Sequence, residues 1–234
     1  MSEQASASPV HIRLDGEVLV VTIDNPPVNA LRQAVRAGLQ EAVERLEQDA
    51  AARAMLIVGQ GKAFIAGADI REFGKPPMAP FLPEVLNRME AGGKLVVAAI
   101  HGPALGGGLE VAMATHYRLA LPGAKLGLPE VNLGLLPGAG GTQRSPRLMG
   151  ALPAAELMLS GKHLSAKAAL AAGLVDKLAE GEDPVAAGLA YVRELLASGT
   201  QPRRTCDLEV ADKAAALAAL DQLAQDTAKK TRGL

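Results

Sequence analysis

The chain has 234 residues, 49% of them hydrophobic but only 2% aromatic and none Trp, so a sizeable core has to be built from Ala, Leu and Val. A formal net charge of −1 speaks against nucleic acid or an anionic membrane as the main partner. The one cysteine, Cys206, rules out an intramolecular disulfide framework and a thiolate metal cage, and no run approaches the ~18 unbroken apolar residues of a membrane span.

The opening MSEQASASPV is small and polar, is expected to fray, and has none of the basic, apolar character of a secretory leader, so a cytoplasmic chain is expected. Val10 to Leu14 and Glu17 to Ile23 read as two strands joined at Asp15-Gly16, a strong hairpin signal. Leu31, Val35, Leu39, Val43 and Leu46 recur at helical spacing and predict an amphipathic helix up to Gln48. Ala54 to Val58 follows as a short buried strand. The segment GQGKAFIAGADI (59–70) then describes a backbone that bends close to something, and its Asp69 reads better as a cap on the next helical turn than as a catalytic acid. Pro76, Pro77, Pro80 and Pro83 mark an irregular connection, and Leu82 to Met89 a helix.

The most informative stretch runs from Val96 to Arg144. A β-type run, Leu95 to Ile100, turns at His101-Gly102-Pro103 and meets three glycines, Gly106, Gly107 and Gly108, before a helical run from Leu109 to Thr115. Glu110 opens that helix among apolar neighbours, and Glu130 lies in an equally apolar setting twenty residues on. Glycines let backbone N–H groups approach a ligand, and a helix N-terminus offers unpaired donors. Such amides bind charge developing on a carbonyl oxygen, while two acids move protons at adjacent carbons. A glycine-rich turn with two merely solvated acids is the plainer alternative.

Past Arg144, helices are expected at 145–149, 154–159 and 165–172, the last with Ser165 as N-cap and Gly173 at its end. A strand at 174–178, a helix at 184–196 and a final Ala/Leu helix from about Asp212 to Lys230 complete an α/β chain with helical additions. Gly138 to Thr142 lacks the lysine of a P-loop and follows no strand in a GxGxxG arrangement, so it reads as a helix-opening turn. No G-x-S-x-G elbow is present, and His11, His101, His116 and His163 lack ligand spacing, so no metal site is expected.

Three separated segments, IAGADI (65–70), ALGGGLEVAM (104–113) and LPEVNLGLLPGAGGTQR (128–144), resemble the crotonase, or enoyl-CoA hydratase/isomerase, superfamily, with NPPVNAL (25–31) in register. The likeness is closest to the N-terminal part of bifunctional enoyl-CoA hydratase/3-hydroxyacyl-CoA dehydrogenases. It implies a crotonase-like spiral of ββα units over residues 8–200, with residues 201–234 forming a C-terminal helix and the start of a linker to a downstream dehydrogenase region. It implies no cofactor beyond the coenzyme A of an acyl-CoA thioester substrate. A homotrimer is in keeping with the family, and the lack of its usual further C-terminal helices weakens that expectation. Carried over to this sequence, Glu110 and Glu130 are the catalytic acids and the amides of Ala66 and Gly107 the oxyanion hole. Substrate contacts fall on Ala30, Ala66, Gly67, Ala68, Asp69, Ile70, Gly106, Pro129, Pro137 and Gly138. Keeping both acids implies hydration of trans-2-enoyl-CoA, with 3-enoyl to 2-enoyl isomerisation second. Other acyl-CoA chemistry (hydrolase or dehalogenase type) and an RNA-binding or scaffolding relative are the alternatives. The scaffolding reading wants a lysine-rich helix, whereas the first helix here mixes Glu41, Glu44 and Glu47 with Arg32, Arg36 and Arg45.

Overall fold

The computed structural model describes residues 8–211 and 213–231. Of the opening MSEQASASPV expected to fray, residues 1–7 lie outside the described residues and Val10 is already in β1; of the stretch 201–234 expected to hold a helix and the start of a linker, residues 232–234 lie outside them as well. The hairpin forms as predicted: β1 (Val10–Asp15) and β2 (Val18–Ile23) pair antiparallel from Val10↔Ile23 to Asp15↔Val18. Helix α1 (Gln33–Gln48) leads to β3 (Ala54–Gly59), which lies parallel to β2. A 3-10 turn (Ile70–Glu72) and α2 (Leu82–Ala91) precede β4 (Leu95–Ile100), β5 (Pro103–Leu105) and α3 (Gly107–Ala114). Then come β6 (Tyr117–Ala120), β7 (Lys125–Gly127), a second 3-10 turn (Pro129–Leu133) and α4 (Gly141–Met149). The chain continues through α5 (Ala151–Ser160), β8 (His163–Ser165), α6 (Ala166–Ala171), β9 (Lys177–Leu178) and α7 (Pro184–Ala197). A 3-10 turn (Thr205–Asp207) leads into α8 (Lys213–Thr231).

Two sheets result, one ordered β1-β2-β3-β4-β6-β9 and a smaller one ordered β5-β7-β8, which Ile65 extends by a parallel bridge to Ala104. Three times the chain passes through the large sheet, then the small one, then a helix: β3, Ile65 and α2; β4, β5 and α3; β6, β7 and α4. This is a spiral of ββα units. Because β3 and β4 are parallel and covered on both faces, all their residues are buried. Period-two alternation then divides them between two cores. Met55, Ile57, Val96 and Ala98 face a cluster shared with α1, α2 and α3, while Leu56, Val58, Val97 and Ala99 pack under Leu189, Val192 and Leu195 of α7.

Three expected features differ in detail. The turn at His101 to Pro103 is shorter than read, because Pro103 already pairs with Lys125 in the small sheet. Helix α3 begins at Gly107, not Leu109, so the second and third glycines are helical. The strand expected at 174–178 is only Lys177–Leu178. Short strands of three or four residues (β5, β6, β7 and β8) carry too little alternation to be seen in sequence. Among the described residues no helix is long and apolar enough to cross a membrane.

Candidate active site

The three consecutive glycines do three different jobs. Gly106 has φ +51°, and a Cβ placed on it would lie 2.9 Å from Glu130 Oε1. At Gly108 a Cβ would drive into the carbonyl of Ile65, so this glycine lets α3 lie against the strand-like segment 64–66. Gly107 is the least crowded of the three: a Cβ on it would lie 3.0 Å from Leu31 Cδ1, 3.4 Å from Leu82 Cδ2 and 3.9 Å from the Ala68 amide nitrogen.

Counting the amides along both segments decides which can bind an anion. Ile65 N–H donates to Pro103 O and Ala66 N–H to Val28 O at 3.1 Å, while Gly106 N–H donates to Gly127 O. The amide expected at Ala66 is therefore already committed, which corrects the oxyanion assignment carried over from the family motif. The nearest uncommitted donor facing Gly107 is Ala68 N–H, two residues on. Gly107, at the first position of α3, is too early in the helix for its amide to have an i−4 partner. Nothing in the sequence separates Ala66 from Ala68, since both sit in the same small-residue run.

That run is held in place by a side chain the sequence reading passed over. Asn29, buried with φ +57°, donates through Nδ2 to the carbonyls of Gln60, Ala63 and Phe64 and accepts from the Asn25 amide. Asp69 behaves as a cap: its carboxylate accepts from the Arg71 amide and pairs with the Arg71 guanidinium at 2.6 Å. The Arg71 hydrogen bonds pull its pKa down to about 2. A cavity of about 300 Å³, lined by Phe73, Met78 and Phe81 with Arg36, Glu72 and Lys75, shares Leu31, Ala68 and Leu82 with the surroundings of Gly107. Ala68 and Asp69 are the expected substrate contacts that line it. Ala30 sits at the entry to α1, its carbonyl taken by Asn25, while Ile70 lies largely exposed. Pro129 opens the turn that carries Glu130, and Pro137 and Gly138 lead the turn before α4.

Glu110 is 2% exposed on α3, and its Oε1 accepts from Ala139 N–H at 2.6 Å and Gly141 N–H at 2.7 Å. Burial pushes its carboxyl above the ordinary range, and those two amides and the Arg144 charge pull it part of the way back. Glu130 stands on the 3-10 turn with Oε2 buried and without a hydrogen-bond partner. Burial raises it as well, its own amide lowers it, and the neighbouring charge of Glu110 raises it further. Two acids distant in sequence thus sense one another across the same space, with different partners: one carboxylate is gripped by amides, the other has an oxygen left over.

This arrangement has a consequence for stability. The folded pKa of Glu110 lies above the 4.5 of an open carboxyl, so its contribution is complete below about 4.5 and is lost as pH rises through the folded value. At neutral pH the ionised, buried group therefore weakens the fold. Glu110→Gln keeps an acceptor for both amides without the charge, so its Tm at pH 7.5 is expected to equal or exceed that of the parent, with the advantage vanishing near pH 4.5. A large loss of Tm at pH 7.5 would contradict this.

Two residues not expected at the site do lie away from it. His116 is fully buried, its Nδ1 accepting from Val96 N–H and its Nε2 facing Glu90 O, a structural role. Cys206 is exposed. No cluster of three or more potential metal-binding side chains occurs among the described residues.

Comparison with known proteins agrees with this geometry. The family model described as enoyl-CoA hydratase/isomerase matches residues 13–231. A peroxisomal bifunctional enzyme of Danio rerio is 52% identical over 163 residues, which is 70% of this chain and 23% of the relative. The chain thus spans about a quarter of the length of such relatives. A probable enoyl-CoA hydratase of Bacillus subtilis is 45% identical over 75% of this chain and 71% of its own length. Among solved structures, the enoyl-CoA hydratase of Mycobacterium tuberculosis superposes with a TM-score of 0.76 at 32% identity, covering 81% of this chain and 76% of that one. With the spiral of ββα units and this match along nearly its whole length, the chain belongs to the enoyl-CoA hydratase/isomerase, or crotonase, family and has its α/β fold.

Proposed function

We infer that the chain hydrates trans-2-enoyl-CoA thioesters to 3-hydroxyacyl-CoA, as a step of fatty acid β-oxidation, and that the same site converts 3-enoyl to 2-enoyl thioesters as a second activity. One observation carries the reading: Glu110 on α3 and Glu130, whose Oε1 lies 2.9 Å from the position of a Cβ on Gly106, are both raised by burial, the charge of Glu110 raises Glu130 further, and the Gly107 amide beside Gly106 has the Ala68 amide close by.

The mechanism follows from where charge develops. As the oxygen of water bonds to C3, electron density moves onto the thioester oxygen, and two preorganised amides stabilise it there. Glu110, whose carboxylate form is favoured by the Ala139 and Gly141 amides, takes the proton lost by the water. Glu130, its carboxyl raised by burial and by the charge of Glu110, delivers a proton to C2. The next water returns the proton from Glu110 to Glu130. In isomerisation Glu130 alone shuttles the proton, and no water is consumed.

The direct test is an assay with crotonyl-CoA and longer enoyl-CoAs, following loss of the conjugated thioester and formation of the 3-hydroxy product. Release of free coenzyme A without hydration would favour the hydrolase reading instead. Since the base must be ionised, kcat/KM is expected to fall on the acid side at a pH above the 4.5 of an ordinary carboxyl. A profile flat down to that pH would count against both glutamates. A dehydrogenase region joined covalently downstream of this chain is part of the same proposal, and the mass of the native gene product tests it.

A further inference from the structure

Behind Glu110 lies a buried ion pair that the reaction does not use. Arg144 on α4 and Glu90 on α2 are each 5% exposed. The guanidinium donates from Nε and Nη2 to Glu90 Oε2, at 3.2 and 2.8 Å, from Nη2 to Asn87 Oδ1 at 2.9 Å and from Nη1 to Ala139 O at 3.0 Å. The last contact matters most. The peptide linking Ala139 to Gly140 lies between the two whose N–H groups grip Glu110, those of Ala139 and Gly141. Gly140 has φ +99°, and a Cβ there would collide with Arg144 Nη1, so the turn is shaped to receive this side chain. The other oxygen of Glu90 accepts from Cys206 N–H at 2.9 Å, and Thr205 Oγ1 donates to Met113 O on the helix that carries Glu110.

We propose that Glu90 and Arg144 are a positioning pair that fixes the Glu110 carboxylate through the turn at 139–141, with residues 205–206 completing the support from behind. The role needs a planar fork reaching three acceptors at once, which Arg supplies and Lys cannot. It also accounts for a buried ion pair that is a poor stabilising device, since desolvation offsets most of its attraction. The charged groups facing Glu110 among the described residues are Glu130 on its 3-10 turn and Arg144 on α4, with Glu90 of α2 behind the latter.

This rests on the hydratase reading, so the experiment includes Glu110→Gln as a reference. Hydration of crotonyl-CoA is measured from pH 5 to 9 for the parent, Arg144→Gln, Arg144→Lys and Glu110→Gln. Because misplacing a catalytic group by about 1 Å can cost about 10²-fold, Arg144→Gln is expected to lower kcat by about 30- to 100-fold, with KM within about threefold. Its acid limb should move to higher pH, since a charge that favours the Glu110 carboxylate is gone. Arg144→Lys keeps that charge and should hold the limb in place while kcat falls about tenfold for want of the fork. An Arg144→Gln profile of unchanged shape, its kcat lowered only in proportion to the folded fraction, would overturn the proposal. Should Arg144→Gln not fold, Arg144→Lys decides: parental kcat overturns the role and a kcat-only loss supports it. Parental turnover in Glu110→Gln would instead sink the hydratase reading, and an inactive Glu110→Gln beside parental Arg144 variants would sink the positioning role alone.

Discussion

Glu130→Gln is expected to cut hydration of crotonyl-CoA by about 10³- to 10⁴-fold and Glu110→Gln by about 10²- to 10⁴-fold, as loss of a general acid or base does. Both proteins should stay folded. Glu130 Oε2 has no partner to lose, and a glutamine at 110 still accepts from Ala139 and Gly141. The two substitutions part company in isomerisation. Moving a 3-enoyl double bond needs one group to take and return a proton and needs no water, so Glu130→Gln should abolish it and Glu110→Gln should spare part of it. Steady-state assays on both substrates separate the roles. The opposite ordering exchanges them, and unchanged hydration in either variant removes that residue from the mechanism.

How much of this was legible in the sequence depended on what fixes each feature. The hairpin at Asp15-Gly16 and the α1 stripe from Val35 to Leu46 are local, so periodicity and turn chemistry located them to within two residues. Glu110 and Glu130 stood out because an acid inside an apolar run has to be explained. The committed state of the Ala66 amide was invisible: its partner, Val28, lies 38 residues earlier, and only the folded chain shows which carbonyl reaches it. The same holds for Arg144. Nothing in the GGTQR run points to its role, and its partners Asn87 and Glu90 come from α2, more than fifty residues away. Electrostatic support for a site is made of long-range pairs, and these leave no spacing to read.

The adjacent glycines offer the sharpest separation between fold and chemistry. Gly108→Ala would place a methyl group against the Ile65 carbonyl, with the Ile65 carbonyl carbon at 2.7 Å and Cβ at 2.8 Å. Ile65 cannot retreat, because its carbonyl accepts from Leu105 N–H and its amide donates to Pro103 O. Backbone must shift, and the expected cost is about 3 kcal/mol, the upper end for overpacking, visible in urea unfolding as a lower midpoint at unchanged slope. Gly107→Ala meets only the tips of Leu31 and Leu82, at 3.0 and 3.4 Å, which have to give by a few tenths of an ångström, and at the first helical position it gains less than the ~1 kcal/mol of a helix interior. Its stability should stay near that of the parent. Its methyl group, however, would fill the space in front of the Ala68 and Gly107 amides. The kcat for hydration should then fall by about 10²-fold, as when an oxyanion donor is lost. If Gly107→Ala proved fully active, the oxyanion could not lie between those amides. If Gly108→Ala were as stable as the parent, the close approach of α3 to Ile65 would not be what that glycine permits.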